Sequence, residues 1–202
     1  LWRKNQGFYM GDKFCSFEGF WEKPEKLVIQ WLMQYANKNN KQLMIVASSS
    51  HDSNLFKQEE AYYAELMGCE PKFLNLSESC SSYKAIDLAE IVVSMESTLG
   101  LESIARGIKT ALFFIRGTKL GIPGLNYGWP GDFPDEGPFW TNKDDPDSFE
   151  RILDYIYEVS DEQWQEDLKS TNFSSIINYD PGNKILQSIL EKELGSPPAF
   201  DS

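Results

Sequence analysis

Apolar and polar positions along this chain alternate between helical and strand spacing in a regular order. Behind Pro24, the residues Leu27, Val28, Trp31, Leu32, Tyr35 and Ala36 recur on one helical face. That stripe predicts a core-facing helix ending across residues 37–41. Residues 43–47 form an apolar run short enough for a buried strand. A polar turn over 48–53 follows, then a helix over 55–67 stopped by Gly68. Residues 72–76 predict a second strand. Residues 81–89 predict a short helix with Tyr83, Ile86 and Leu88 inward. Residues 91–93 are an unbroken β-branched run, as in a central parallel strand. Ser97 or Thr98 can cap the helix after it, Leu101, Ile104, Ala105 and Ile108 supply its buried face, and Gly107 ends it. Residues 110–115 give the next buried strand. Helix and strand therefore alternate four times. This predicts an α/β fold, a Rossmann-like parallel sheet with helices on both faces.

Three regions break the rhythm. Residues 1–23 are rich in aromatics, among them Trp2, Phe8, Tyr9, Phe14, Phe17, Phe20 and Trp21. They read as an opening segment packed on the domain, with a short strand near 8–10. Residues 116–147 hold six glycines, five prolines, Trp129 and Trp140, with no helical or strand period. Loops of such length in a compact domain are functional or disordered, and the aromatics argue against disorder. Two readings stand: a ligand-facing loop, or an Ω-like excursion packed by its own rings. Three helices then close the domain, which spans 24–195. The first, 147–159, shows a capping box of Asp147 and Glu150, and the second, 160–169, one of Ser160 and Gln163. Asp180-Pro181 opens the third, Gly195 ends it, and the tail 196–202 is expected to fray.

Composition narrows the functional classes. Hydrophobic residues make up 41% and charged residues 25% of 202, values of a globular chain. A net charge of −12 argues against nonspecific nucleic-acid binding and against docking on anionic lipid. An anionic ligand remains possible, because a backbone cradle with one or two cations binds phosphate locally. Cys15, Cys69 and Cys80 are an odd number without metal-like spacing, which points to free thiols and a reducing, cytoplasmic compartment. No apolar run has the length of a membrane span, and no signal peptide is visible. The chain starts at Leu1 rather than Met, so an excised piece of a longer protein is expected.

Candidate chemistry gathers at the carboxyl ends of the predicted strands. The turn Glu96, Ser97, Thr98, Leu99, Gly100 opens a helix, whose first amides form a ready phosphate site. The plain alternative is an ordinary βα corner with a good cap. Glu102, one turn in, could accept from a ribose. The first βα turn carries Ser48, Ser49, Ser50 and the chain's single histidine, His51, which is either a site residue or structural. Arg116 and Lys119 are cations placed to meet a phosphate or carboxylate. His51 and Glu18 are the candidates for catalysis. One histidine rules out a histidine metal cage, and no nucleotide-binding glycine loop, nucleophile elbow or metalloprotease motif occurs.

Several stretches resemble bacterial surface-carbohydrate biosynthesis proteins: 82–87 (SYKAID), 92–102 (VVSMESTLGLE), 105–109 (ARGIK), 127–130 (YGWP) and 137–141 (GPFWT). The similarity runs over about residues 14–164. The Ser-Thr-x-Gly-x-Glu core followed by Gly-x-Lys is also similar to capsule Kdo transferases, which use a CMP-activated sugar. More distantly, it resembles the carboxyl-terminal half of GT-B glycosyltransferases. The resemblance implies a nucleotide-sugar-binding domain of a metal-independent GT-B enzyme acting on a surface polysaccharide. By position, Ser97, Thr98 and Gly100 would hold the donor phosphate, Glu102 the ribose, and 48–51 the base or sugar. An amino-terminal partner domain would supply the acceptor side, so the chain alone is expected to be inactive. A location in the cytoplasm or at the inner-membrane surface would follow. The nucleotide sugar enters as substrate, with no cofactor. The alternatives are half of a sugar-nucleotide epimerase and a noncatalytic binding or scaffold module.

Overall fold

A computed structural model describes residues 6–50, 52–74, 81–117, 134–171, 173 and 176–194. The chain opens with a hairpin, β1 (Gly7–Met10) and β2 (Lys13–Ser16), turned at Gly11 with φ +58°. A π-helical turn, Glu18–Glu22, runs straight into α1 (Lys23–Lys38), with Pro24 in its first turn. The opening segment is thus continuous with the first helix. Phe20 anchors it, 2% exposed between Phe8 and Trp21.

The next two expected strands shrink to one parallel bridge, Ile45 with Phe73. Ile45 donates to Lys72 O and accepts from Leu74 N. Residues 43–47 stay half exposed because, among the described residues, no strand lies hydrogen-bonded along their other side. The end of the second expected strand, 75–76, lies outside the described residues. Between the bridging segments runs α2 (Asn54–Met67), capped by Ser53 and closed, as its sequence predicts, by left-handed Gly68.

The sheet proper is all parallel, in the order β3 (Val92–Ser94), β4 (Thr110–Phe113), β5 (Trp140–Thr141). Before it comes α3 (Ser81–Leu88), and α4 (Thr98–Ala105) crosses from β3 to β4. β4 is the centre; every residue from 110 to 116 is buried. Its side chains alternate between the two helical layers. Leu112 faces α4, where a Cβ on Gly100 would lie 3.3 Å from it. Phe113 faces α5 (Pro146–Glu158) and stacks on Phe149 at 4.4 Å. Helices therefore cover both faces of a mixed α/β fold.

Two expectations change here. The buried face of α4 is Gly100, Ser103 and Ile104; Leu101, Ala105 and Ile108 are only half buried. This short helix sits so close to the sheet that small Gly100 and Ser103 share its contact with Ile104. The irregular region ends in structure: β5 lies within it, and Phe139, Trp140, Thr141 and Asn142 are at most 2% exposed. A two-residue strand is too short to show a period.

The closing helices pack Phe149, Ile152, Leu153 and Ile156 of α5 and Trp164 of α6 (Asp161–Ser170) into the core. Trp164 Nε1 donates to Gly107 O at 3.0 Å. The cap of α5 is Asp145, not Asp147; its carboxylate accepts from the Ser148 amide and hydroxyl. The reason is Pro146, which fits the first helical position and sets the boundary before it. Ser160 caps α6 as expected. The last helix, α7, covers Lys184–Leu194, three residues later than Pro181, because left-handed Gly182 and Asn183 intervene. None of its residues is buried, and Ile185, Leu186, Ile189 and Leu190 lie about half exposed along it. Among the described residues no helix is long and apolar enough to cross a membrane.

Candidate functional site

The sheet stops pairing at β3, and a cleft of about 710 Å³ opens between β3 and the 43–47 segment. α1, α2 and α3 supply its walls. Its rim is the turn from Ser94 to Gly100, at the carboxyl end of β3, where ligands of open parallel sheets bind. Glu96 occupies this turn with φ +52°, a left-handed conformation uncommon outside glycine and asparagine. Ser97 follows in extended backbone, and its Oγ accepts from Leu99 N at 3.3 Å. Gly100 permits the closeness of helix and strand: a Cβ there would sit 2.3 Å from Ser94 Cβ and Oγ.

Arg116, just past β4, is the electrostatic centre, with a side chain only 4% exposed. Its backbone amide donates to Glu96 Oε1 at 3.2 Å, and Nη1 donates to Glu96 Oε2 at 2.5 Å and to Met95 O at 3.3 Å. Nη2 lies 3.6 Å from Glu25 Oε1 on α1. The guanidinium sits over the Trp21 ring at 4.2 Å, a cation–π contact from the opening segment. Glu25 also accepts from Tyr62 Oη at 2.6 Å and Tyr63 Oη at 3.3 Å, both on α2. Burial, followed by the Glu25 charge, pushes both phenols well above their ordinary range. Glu96 is raised to about 7; burial outweighs the pull of Arg116, and Glu25 adds repulsion. Two polar atoms of this wall are buried without a partner among the described residues, Arg116 Nε and Ser94 Oγ.

The candidates from the sequence divide. Glu96, Ser97, Leu99, Gly100, Arg116 and Ser48 line the cleft together. Thr98 is exposed at the start of α4. Ser48 and Ser49 donate their amides to Glu59 of α2, at 2.8 and 3.2 Å, and Ser50 O accepts from Ser53. The Glu102 carboxylate accepts from Tyr83 Oη of α3 at 2.5 Å, away from the lining. Glu18 is exposed and paired with Lys23 at 3.0 Å. His51 and Lys119 lie outside the described residues. Glu25, Glu59, Tyr62, Tyr63 and Trp21 were not read as site residues. Their one sequence signal was polar groups inside otherwise apolar helical stripes, Glu25 beside Pro24 and Glu59 one turn before Tyr62-Tyr63.

Chemically, the arrangement offers an anion two unused donors and a helix amino terminus beside a buried cation. It also places two carboxylates on that single cation. Among the described residues no cluster of His, Cys, Asp or Glu is built to hold a metal ion.

Compared with known proteins, residues 5–194 match the model of a family described as putative O-antigen biosynthesis protein. No curated protein and no solved structure matches the chain.

Proposed function

The chain belongs to this family of O-antigen biosynthesis proteins, and from that premise we propose that it is the nucleotide-sugar-binding part of a glycosyltransferase that builds surface polysaccharide. The observation that carries the reading is the Ser94–Gly100 turn. It brings the start of α4 to a cleft beside Arg116, whose Nε has no partner among the described residues. In this reading the phosphate leaving group of the donor lies against Ser97 and Arg116. Helix amides and the guanidinium stabilise the charge that develops as the glycosidic bond to phosphate breaks. The resemblance of the Ser97–Glu102 stretch to a motif of capsule Kdo transferases and GT-B enzymes supports a CMP-, UDP- or GDP-linked sugar. It also supports a second domain that brings the acceptor. A ribose contact from Glu102 would require Tyr83 to yield its hydrogen bond.

Thermal unfolding with CMP, UDP and GDP tests the reading. A bound nucleotide at a hundred times its Kd stabilises by about 2.7 kcal/mol, so one of the three should raise Tm by several degrees. Ser97→Ala and Arg116→Met should each reduce that rise. An undiminished rise in both variants would remove the site, and no rise with any nucleotide would remove the function.

A further inference from the structure

We propose that Glu96 enters the ligand-bound state as a neutral carboxylic acid, so that a phosphate ligand and one proton bind the cleft together. The inference rests on the phosphate reading above and concerns how this particular cleft can accept an anion.

The geometry is that of a cation already in use. Arg116 engages both oxygens of Glu96, one through its amide and one through Nη1, and its Nη2 approaches Glu25. Two carboxylates on one guanidinium leave an excess of negative charge in a wall that is almost wholly buried. Yet two donors of that wall stand without acceptors among the described residues, Arg116 Nε and Ser94 Oγ, both at the cleft. A phosphate oxygen brought against the guanidinium could accept from Arg116 Nε. It would also become a third anion on a single cation, in a place where burial strengthens every repulsion. One negative charge has to be removed for the phosphate to stay.

The groups facing the pair decide which carboxylate takes the proton. Glu25, on α1, has its two oxygens engaged by the phenols of Tyr62 and Tyr63 on α2. Glu59, also on α2, is held by the amides of Ser48 and Ser49 and stays with them. Trp21 covers the guanidinium with an apolar ring. Glu96, with a side chain 1% exposed, has Arg116 as its one charged donor among the described residues. A phosphate competing for that guanidinium takes away the support for Glu96 ionisation. Burial already lifts its pKa towards neutrality with the support in place. The protonated acid then turns from competitor to donor and gives its O–H to a phosphate oxygen. The left-handed backbone at Glu96 holds the carboxyl under Arg116, where both states need it.

Isothermal titration calorimetry with CMP, UDP and GDP, in buffers of different ionisation enthalpy, counts the protons. At about pH 8 the wild-type chain should take up about one proton per nucleotide bound. Its affinity should fall about tenfold for each pH unit above the midpoint. Glu96→Gln keeps the shape and, like the neutral acid, offers one acceptor and one donor, but it carries no titrating proton. It should bind the same nucleotide without that uptake and with a nearly flat pH profile. Wild-type binding with no proton uptake would overturn the proposal, as would uptake that survives in Glu96→Gln. If neither protein binds any nucleotide from about pH 6 to pH 8, the phosphate reading itself falls, and this inference with it.

Discussion

Glu96, in the turn after β3, and Gly100, in the first turn of α4, are governed by opposite constraints. Gly100 is fixed by space, because a methyl group there would overlap Ser94. Gly100→Ala should destabilise by roughly 2 kcal/mol, the scale of core overpacking, and Ser94→Gly should recover much of that loss in the double variant. Additive losses in urea denaturation would show that the two do not touch. Glu96 is fixed by charge. Its native pKa stands at about 7 against an ordinary 4.5. The folded state therefore holds a proton over a pH window in which the unfolded chain has lost it. By linkage, this group makes stability fall as pH rises from about 4.5 to about 7. Tm against pH should slope downward there, and Glu96→Gln should flatten the slope. Removing the partner instead leaves two buried carboxylates uncompensated. Arg116→Met should cost roughly 3–5 kcal/mol, measurable by the same denaturation, while a cost below about 1 kcal/mol would mean that water reaches the pair.

At the scale of elements, boundaries follow local hydrogen bonding more than hydrophobic period. The start of α5 is set by Asp145 and Pro146, although the capping-box pattern favours Asp147. The Asp145 carboxylate lies below its usual range, through the Ser148 side chain and then its amide. The stability it brings is present above the ordinary aspartate pKa and fades as pH falls below it. Asp145→Ala should accordingly lower Tm more at neutral pH than at about pH 3, and Asp147→Ala should lower it less. Equal effects from the two would contradict the cap assignment. Ser160→Ala at α6 should cost about 1 kcal/mol, the usual worth of such a cap. The first two expected strands illustrate the converse. Their residues have strand character, but one bridge is all that forms among the described residues, and the space beside β3 becomes the cleft.

For the whole molecule, the core and the candidate cleft occupy different parts of one sheet. The core is centred on β4, with α4 on one face and α5 on the other, and the cleft lies where pairing stops at β3. Phe113→Ala, in the buried stack with Phe149, should cost about 3–5 kcal/mol. Leu190→Ala on exposed α7 should change stability by about 0.5 kcal/mol or less. Chemical denaturation of the two variants would test whether the centre of stability is where the buried rings place it. By itself, the sequence determined most helices, the parallel α/β class, the caps at Ser97 and Ser160, the stops at Gly68 and Gly107, and a sharp turn after β3. All of these depend on residues within a few positions of one another, where period, capping and left-handed backbone leave local marks. Only the tertiary structure decided that the irregular region returns as β5, that Gly100 serves close packing, and that Glu25, Tyr62, Tyr63 and Trp21 gather on Arg116. Arg116 meets Glu25 and Trp21 across 91 and 95 positions, and Glu25 in turn meets Tyr62 and Tyr63 across 37 and 38. The hydrophobic burial that brings such residues together is nondirectional, so it leaves no spacing in the chain from which the pairing could be read.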